Sequence, residues 1–553
     1  MPPIAARIGV LFALFLGLLS IAALRAAWLA TVKGDSLDNA ARTQQVADIT
    51  VPARRGAIVD RRGIELAVSE PAADISATPY IVEDPVKAAK QLAPLLGRTE
   101  DELVKLLAQE DSGFVYLARK LPAEQADRVD RLDIAGIDQT PTTRRVYPRN
   151  WLAAQVLGTV GTDGAGLLGL EYPFDSKLRG TDGERRVIRD ALGEPIGVQD
   201  VKAAVPGAAL ELTLDSALQD KTEAVLAEIG ATFRPKGASA IVMDPRNGEL
   251  LAVANWPRVN ANDYGGAPDF ARRNLATGFT YEPGSTFKAF TVAGALEDGA
   301  VEPDTSFNLP PTIQVADRVI GESHDRGAVT LTTAGILAQS SNVGSIMIAQ
   351  RDGEDRFAGW VDAFGFGKLT GTDLPGEEIG IVLDREDYSG SSIGNLPIGQ
   401  GTLVTPMQMS AGYAAVANGG RIPVPHAVRR VDGRRVDRPA PRRVISEETS
   451  LQLRTMLEGV FAPGGTASEV SIPGYKLAGK TGTANKVDAE TGEYSQERYV
   501  ASFVGFAPAL KPKLLTMVVV DEPQGAIYGA EVAAPAFGQI MTFALQYLKI
   551  PPG

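Results

Sequence analysis

The chain has 553 residues, 44% of them hydrophobic, and a formal net charge of −12. That length and apolar content imply two or more packed domains and exclude a largely disordered chain, while the negative balance argues against nucleic acid as a partner of the surface as a whole. Cysteine is absent and only two histidines occur, His324 and His426, so disulfides, thiol nucleophiles and Cys-based metal sites are excluded and a multi-histidine metal centre is disfavoured.

At the N-terminus, residues 8–24 (IGVLFALFLGLLSIAAL) form a run of 17 residues without a charge, near the lower limit for a helix that crosses a bilayer. Arg7 precedes it, Arg25 can snorkel, and Trp28 suits the membrane interface. The pattern predicts a transmembrane signal-anchor over residues 8–30, a cytoplasmic leader at 1–7, and the rest of the chain outside the cytoplasm. A cleaved signal peptide is the alternative; the run is long for one, and no small-x-small cleavage site follows directly.

Residues 31–205 read as a first, mixed α/β region. It contains the strand-like stretch ADISATPYIV and helical stretches at 85–96 and 100–110. Residues 206–553 read as a second α/β domain. Apolar strands flank Asn247-Gly248, a pair favoured in tight primed turns. The segments YVASFVGFAP and LLTMVVVDEP are two further strands, and a last helix is expected over 534–548. This order suggests an antiparallel sheet covered by helices. The arginine-rich stretch 428–444, broken by Gly and Pro, reads as a solvated hairpin or loop.

Three short motifs in the second domain carry chemistry. In YEPGSTFKAFTVAGALE, Pro283 and Gly284 break the chain and a helical pattern starts at Ser285. Unpaired N–H groups in a first helical turn favour an alkoxide or oxyanion. Lys288, at i+3, shares the serine's face. Apolar neighbours depress a lysine pKa, so Lys288 can act as base to Ser285 without a histidine. Ser340-Ser341-Asn342 interrupts two apolar helical stretches and can present a hydroxyl and an amide to a cleft, although these residues also suit a plain helix cap. Ser306-Phe307-Asn308 repeats the Ser-x-Asn pattern but leads into Leu-Pro-Pro, as a loop would. Lys480-Thr481-Gly482-Thr483 reads as an edge or inner strand. Its cation and hydroxyls can bind a carboxylate, Gly482 is expected to leave open space for a substrate along the strand, and the Thr483 N–H can complete an oxyanion hole with that of Ser285.

Each motif is weak alone; the ordered trio is the signature of penicillin-binding proteins and class A β-lactamases. With RRGAIVDRRGIELAVS, RVYPRN and GLLGLEYPFDSKLRGTDGE upstream, and DPRNGELLA, PIGQG, TPMQ and AAPAF downstream, the chain resembles the class B penicillin-binding proteins over nearly its whole length. The phrases SSNVG, KTGTANK and GLEYPFD are similar to the septal, cell-division transpeptidase of that class. Tyr528-Gly529-Ala530 departs from the family, where a second glycine is usual.

The resemblance implies a serine transpeptidase domain with an antiparallel sheet covered by helices, preceded by a non-catalytic pedestal and a membrane anchor. It implies that Ser285 acylates on a peptidoglycan stem peptide with Lys288 as base. Ser340 then relays protons with Lys288 and Lys480, Asn342 holds the substrate amide, and Lys480, Thr481 and Thr483 hold the terminal carboxylate. It implies no metal or organic cofactor, acylation by β-lactam antibiotics, and as partners a polytopic septal glycosyltransferase and other divisome proteins. An elongation-type paralogue, a D,D-carboxypeptidase or β-lactamase, and an inactive scaffold or β-lactam sensor are the alternatives. The long pedestal disfavours a free β-lactamase, the intact motifs a scaffold, and the short leader a sensor.

Overall fold

The computed structural model describes residues 4–33, 46–109, 111–189, 195–488 and 490–552. Glu110, the expected end of the 100–110 helix, and residues 1–3 of the leader lie outside them.

The apolar N-terminal run is a 28-residue helix, Ile4–Thr31. It extends past both ends of the uncharged stretch, because Arg and Ala are good helix formers and charge limits only the part that lipid can cover. At 1.5 Å per residue it is about 42 Å long, enough to cross a hydrocarbon core of about 30 Å. Phe12, Leu18, Leu24 and their neighbours are exposed, an apolar surface of the kind a bilayer covers. Arg25 lies over the Trp28 ring, 4.9 Å from its centroid.

The chain forms two compact units, one of residues 1–54, 71–143 and 180–206 and one of residues 55–70, 144–179 and 207–553. The expected division at 205/206 is therefore not the division of compactness. Two stretches of the first region fold with the second because their apolar groups are buried there, while their charged groups tie the two stretches to each other. Ile58 and Leu170 share a core with Leu210 and Leu212, and buried Glu171 receives Arg55 at 2.6 Å and Arg145 at 2.7 Å.

In the first unit, helix Pro85–Leu96 starts at Asp84, whose side chain accepts from the Lys87 N–H, and stops at Gly97 in the left-handed region. Helix Glu100–Leu107 opens on a Thr99/Glu102 capping box. Leu92, Leu103 and Leu107 are buried with Leu117 of strand Val115–Pro122. A separate antiparallel sheet joins Val46–Val51, Gly183–Arg189 and Pro195–Lys202.

The second unit is built on a five-stranded sheet in the order Leu250–Trp256, Gly237–Met243, Leu514–Asp521, Tyr494–Ala507, Ala478–Val487. Every pair is antiparallel, as the sequence suggests. Successive residues of a strand serve opposite faces: Val518 and Val520 enter one core, Met517 and Val519 the other. Helices Ser216–Phe233 and Gly529–Tyr547 cover one face; Pro406–Ala417 and Glu447–Glu458 pack on the other, with Lys288–Glu297 behind them.

Three local expectations change. The connection at Asn247-Gly248 is a wider loop over 244–249 and not a two-residue turn. Asp244 bonds the Arg246 N–H and guanidinium, and its carbonyl accepts from the Gly248 N–H at 2.9 Å. The last helix begins at Gly529, ahead of the expected 534. Gly529 reads as a helix breaker, yet a Cβ there would stand 2.3 Å from the carbonyl oxygens of Gly482 and Ser502, so close approach requires it. The arginine-rich stretch contains the hairpin Val428–Val431/Arg434–Arg435, exposed at Arg434 and Arg435, while other arginines of it are tied to the fold: Arg430 to Glu211 at 2.9 Å and Arg438 to Asp373 at 2.5 Å.

Candidate active site

Ser285 lies in a short 3-10 turn, Gly284–Phe287, that runs directly into helix Lys288–Glu297. The turn is held from several sides. Gly284 has φ +53°, and a Cβ there would come within 2.8 Å of the Thr483 carbonyl oxygen. The Gly284 N–H donates to the Gly399 carbonyl at 3.0 Å, and the Tyr413 hydroxyl donates to the Thr286 carbonyl at 2.7 Å. Thr291 bonds the Pro397 carbonyl at 2.8 Å, so the PIGQG segment props the turn. Ser285 is half-buried and lines a cleft of about 770 Å³. Its hydroxyl makes no hydrogen bond to any described residue.

Lys288 is completely buried. Its Nζ donates to the Ser340 carbonyl at 2.6 Å and to Asn342 Oδ1 at 2.7 Å, and lies 3.3 Å from Ser340 Oγ. The amine is thus bonded to the second motif and not to Ser285, as the shared helix face alone suggested. Carbonyl and amide oxygens can only accept. In the neutral amine they take its two hydrogens, which leaves the lone pair for a hydroxyl. Burial lowers the Lys288 amine to about 7; the Glu322 charge opposes this shift and the Arg326 charge adds to it.

Ser340 ends helix Thr333–Gln339 in the left-handed region at φ +60°. Ser341 caps the next helix, Asn342–Asp352, by accepting from the Gly344 N–H. The cap, at Ser341, thus stands between the two residues that bond the Lys288 amine, Ser340 and Asn342. The rival at 306–308 lies in strand Ser306–Leu309, with Asn308 accepting from Thr330 at 2.7 Å, outside the residues that line the cleft.

The third motif lies on Ala478–Val487, an edge strand. Strand alternation puts Lys480 and Gly482 on one face and Thr481 and Thr483 on the other; the two threonines line the cleft. Lys480 is completely buried. Burial, and then the Lys288 charge, hold its amine well below the usual lysine range. Its Nζ reaches the Thr481 carbonyl at 3.2 Å, and Thr481 donates to the Thr466 hydroxyl at 2.9 Å. Thr483 Oγ1 accepts from the Gly529 N–H at 3.0 Å. The open space expected beside Gly482 is filled: a Cβ would stand 2.4 Å from Ser502 Oγ, 2.9 Å from Thr286 Cγ2 and 3.0 Å from the Pro283 carbonyl oxygen. Glycine is needed there for the strand to meet the nucleophile turn.

All three motifs thus border or underlie one cleft. The sequence does not foretell the loop that also lines it. Glu322 accepts from Ser341 Oγ at 2.6 Å and from the Asn342 N–H at 2.7 Å, and Arg326 binds both Glu322 and Ser341. His324 meets the Tyr528 ring with centroids 5.3 Å apart. The only signal in the sequence is a polar run, GESHDR, whose spacing gives no hint that it folds onto the Ser-x-Asn helix. Thr466, from a Gly-Gly-Thr loop, also lines the cleft and carries no signal in the sequence. His426, the other histidine, is buried, with Nδ1 2.9 Å from the Val424 carbonyl oxygen.

Comparison with known proteins agrees with this architecture. Residues 238–542 match the penicillin binding protein transpeptidase domain, and residues 50–212 match the penicillin-binding protein dimerisation domain. The chain is 35% identical to stage V sporulation protein D of Bacillus subtilis over 96% of its own length and 83% of that protein. It is 34% identical to the peptidoglycan D,D-transpeptidase FtsI of Escherichia coli over 98% of its length and 92% of that protein. Among solved structures, penicillin binding protein 3 of Mycobacterium tuberculosis complexed with aztreonam aligns with a TM-score of 0.71 at 30% identity, covering 91% of this chain and 98% of that one. With both family domains present and likeness to such relatives along nearly its full length, the chain belongs to the class B penicillin-binding proteins, a family of transpeptidase enzymes.

Proposed function

We propose that the chain is a septal peptidoglycan D,D-transpeptidase that cross-links stem peptides through an acyl-enzyme on Ser285. The observation that carries the chemistry is the Lys288 amine, completely buried, lowered to about 7, and oriented by the Ser340 carbonyl and Asn342 Oδ1. It is a base poised near neutral pH with its lone pair free for a hydroxyl. The Lys288 charge disfavours a proton on buried Lys480, so the two amines compete for charge. A stem-peptide carboxylate bound by Lys480, Thr481 and Thr483 favours the proton on Lys480 and so leaves Lys288 neutral. Lys288 then takes the Ser285 proton as Oγ attacks the carbonyl of the penultimate D-Ala. The N–H groups of Ser285 and Thr483 stabilise the oxyanion, and Asn342 holds the substrate amide. Ser340 relays the proton to the departing D-Ala. An amine of a neighbouring stem peptide attacks the acyl-enzyme, forms the 4→3 cross-link and returns the proton to Ser285. β-Lactams acylate the same serine.

The membrane-length N-terminal helix supports a single-pass anchor with the catalytic unit on the outer side of the cytoplasmic membrane. Likeness to FtsI along nearly the whole chain, with the septal-type phrases, supports placement at the division site beside a polytopic glycosyltransferase and other divisome proteins. The test is labelling of the full-length chain in detergent with fluorescent penicillin. The wild type is expected to give a stable covalent adduct and Ser285→Ala none. An unlabelled wild type, or equal labelling of the two, sinks the acyl-serine mechanism; rapid loss of label shows a hydrolase. A tagged chain spread evenly along the sidewall of dividing cells rules out septal placement.

A further inference from the structure

The Lys288 amine is oriented by Asn342, and Asn342 is itself held by the loop that precedes its helix. Gly321 ends the short strand Arg318–Gly321, and its carbonyl accepts from Asn342 Nδ2 at 3.0 Å. That bond fixes which way the amide faces, so that Oδ1 and not Nδ2 meets Lys288 at 2.7 Å. The next residue, Glu322, fixes the backbone: one carboxylate oxygen accepts from the Asn342 N–H at 2.7 Å and the other from Ser341 Oγ at 2.6 Å. These are the first groups of helix Asn342–Asp352, where unpaired N–H groups favour a negative charge. The Glu322 side chain is only 6% exposed, so its charge is poorly screened. Arg326 closes the arrangement, one NH2 group reaching Glu322 at 2.5 Å and Ser341 Oγ at 2.8 Å.

We propose that Glu322 is a positioning residue for acylation: its carboxylate, anchored by Arg326, holds the backbone of Asn342 where the amide oxygen, turned by the Gly321 carbonyl, meets the Lys288 amine. This rests on the acyl-serine reading above. Neither Glu322 nor Arg326 touches Lys288 through a hydrogen bond; they act through Asn342 and through charge. Burial is the larger influence on the amine; of the two charges, that of Glu322 raises its proton affinity and that of Arg326 lowers it. The other charged or titratable groups are buried Lys480 across the site, His324 and Asp325 of the same loop, Tyr499 of the neighbouring strand, and Tyr528 and Glu531 at the start of the last helix; all but Lys480 line the cleft.

The geometry predicts an effect that a merely structural ion pair would not produce. Removing the negative charge weakens the hold of Lys288 on its proton; removing the positive charge strengthens it. The second-order rate of acylation by fluorescent penicillin, measured against pH on the full-length chain in detergent, reads this out. Glu322→Gln is expected to move the acid limb to lower pH and to slow acylation at the plateau roughly tenfold or more, because the amide cannot accept at both Ser341 and Asn342. Arg326→Gln is expected to move the acid limb to higher pH. Glu322→Asp keeps the charge on a shorter side chain, so the limb should return to the wild-type position while the plateau stays low. Acid limbs that coincide in all variants, or that move in one direction for both Gln substitutions, overturn the proposal. If Glu322→Gln does not fold, Glu322→Asp against Arg326→Gln decides the same point: a shared acid limb overturns the proposal and separate limbs support it. Loss of labelling from the wild type itself would instead refute the acyl-serine reading, so the two failures are distinct.

Discussion

Lys288 is a base only when neutral, and its surroundings fix where on the pH scale that happens. An exposed lysine near 10.5 would be almost wholly protonated at neutral pH. Complete burial removes water from the ammonium, and the amine falls to about 7. The sign of the activity profile follows. Above that value the neutral amine accepts the Ser285 proton and acylation reaches its plateau; below it each pH unit costs about tenfold in rate. A stopped-flow penicillin acylation series across pH 5–9 checks this, and a flat profile down to pH 5 would remove Lys288 as the titrating base. The residue's identity as a candidate was legible in the sequence, because Ser285 and Lys288 are three residues apart and no cysteine and few histidines compete. Its partner was not. Helical spacing speaks of neighbours on one helix, whereas the amine is bonded to Ser340 and Asn342, more than fifty residues away in the chain. Glu322 and Arg326 were hidden for the same reason: loop residues give no periodic signal, and only the fold brings them onto the helix start.

At the scale of elements, the site is a meeting of a 3-10 turn with an edge strand, and glycines set how closely they meet. In the sequence Gly482 suggests a gap for substrate, whereas the structure gives the gap to the protein itself. Gly482→Ala would drive a methyl group into Ser502, Thr286 and the Pro283 carbonyl, all within 3.0 Å of the new atom. Two of those residues flank Ser285, so overpacking would push the nucleophile turn from the strand. The expected result is a loss of about 1–3 kcal/mol of stability together with slower penicillin acylation, read by thermal melting and by labelling of the folded fraction. Unchanged melting and labelling would mean that the strand moves aside without cost. Elements whose signals are local were legible in the sequence. The helix expected over 85–96 is Pro85–Leu96, bounded by an Asp cap and a glycine stop, and the strands around 500 and 515 form as expected. The start of Gly529–Tyr547 is not legible in the sequence because Gly529 and Pro535 carry poor helix propensity, and close packing against Gly482 and Ser502 outweighs it.

At the scale of the whole molecule, the order of the chain and the grouping of its residues part company. A reading along the sequence divides it at 205/206, yet 55–70 and 144–179 belong to the larger compact unit. Composition cannot reveal this, since the stretches join the larger unit through a shared apolar core and join each other through charges from distant positions. Glu171 is fully buried and holds Arg55 on one oxygen at 2.6 Å and Arg145 on the other at 2.7 Å; Asp175 holds Arg55 as well, at 2.7 Å. The Tyr147 hydroxyl also reaches Glu171, at 3.3 Å. One carboxylate therefore bonds two guanidinium groups that are themselves nearly without solvent, and Asp175 supplies the second negative charge. Glu171→Gln has the right shape but no charge. Arg145 would lose its carboxylate partner and Arg55 one of two. Breaking a buried ion pair from one side costs about 3–5 kcal/mol, because the remaining charge is left desolvated. A marked fall in melting temperature is expected, with the penicillin acylation rate of the protein that remains folded close to wild type, since none of these side chains lines the cleft. Glu171→Gln melting with the wild type would show that water or a rearranged Asp175 compensates the arginines. A selective loss of acylation without loss of stability would show instead that this cluster is coupled to the site.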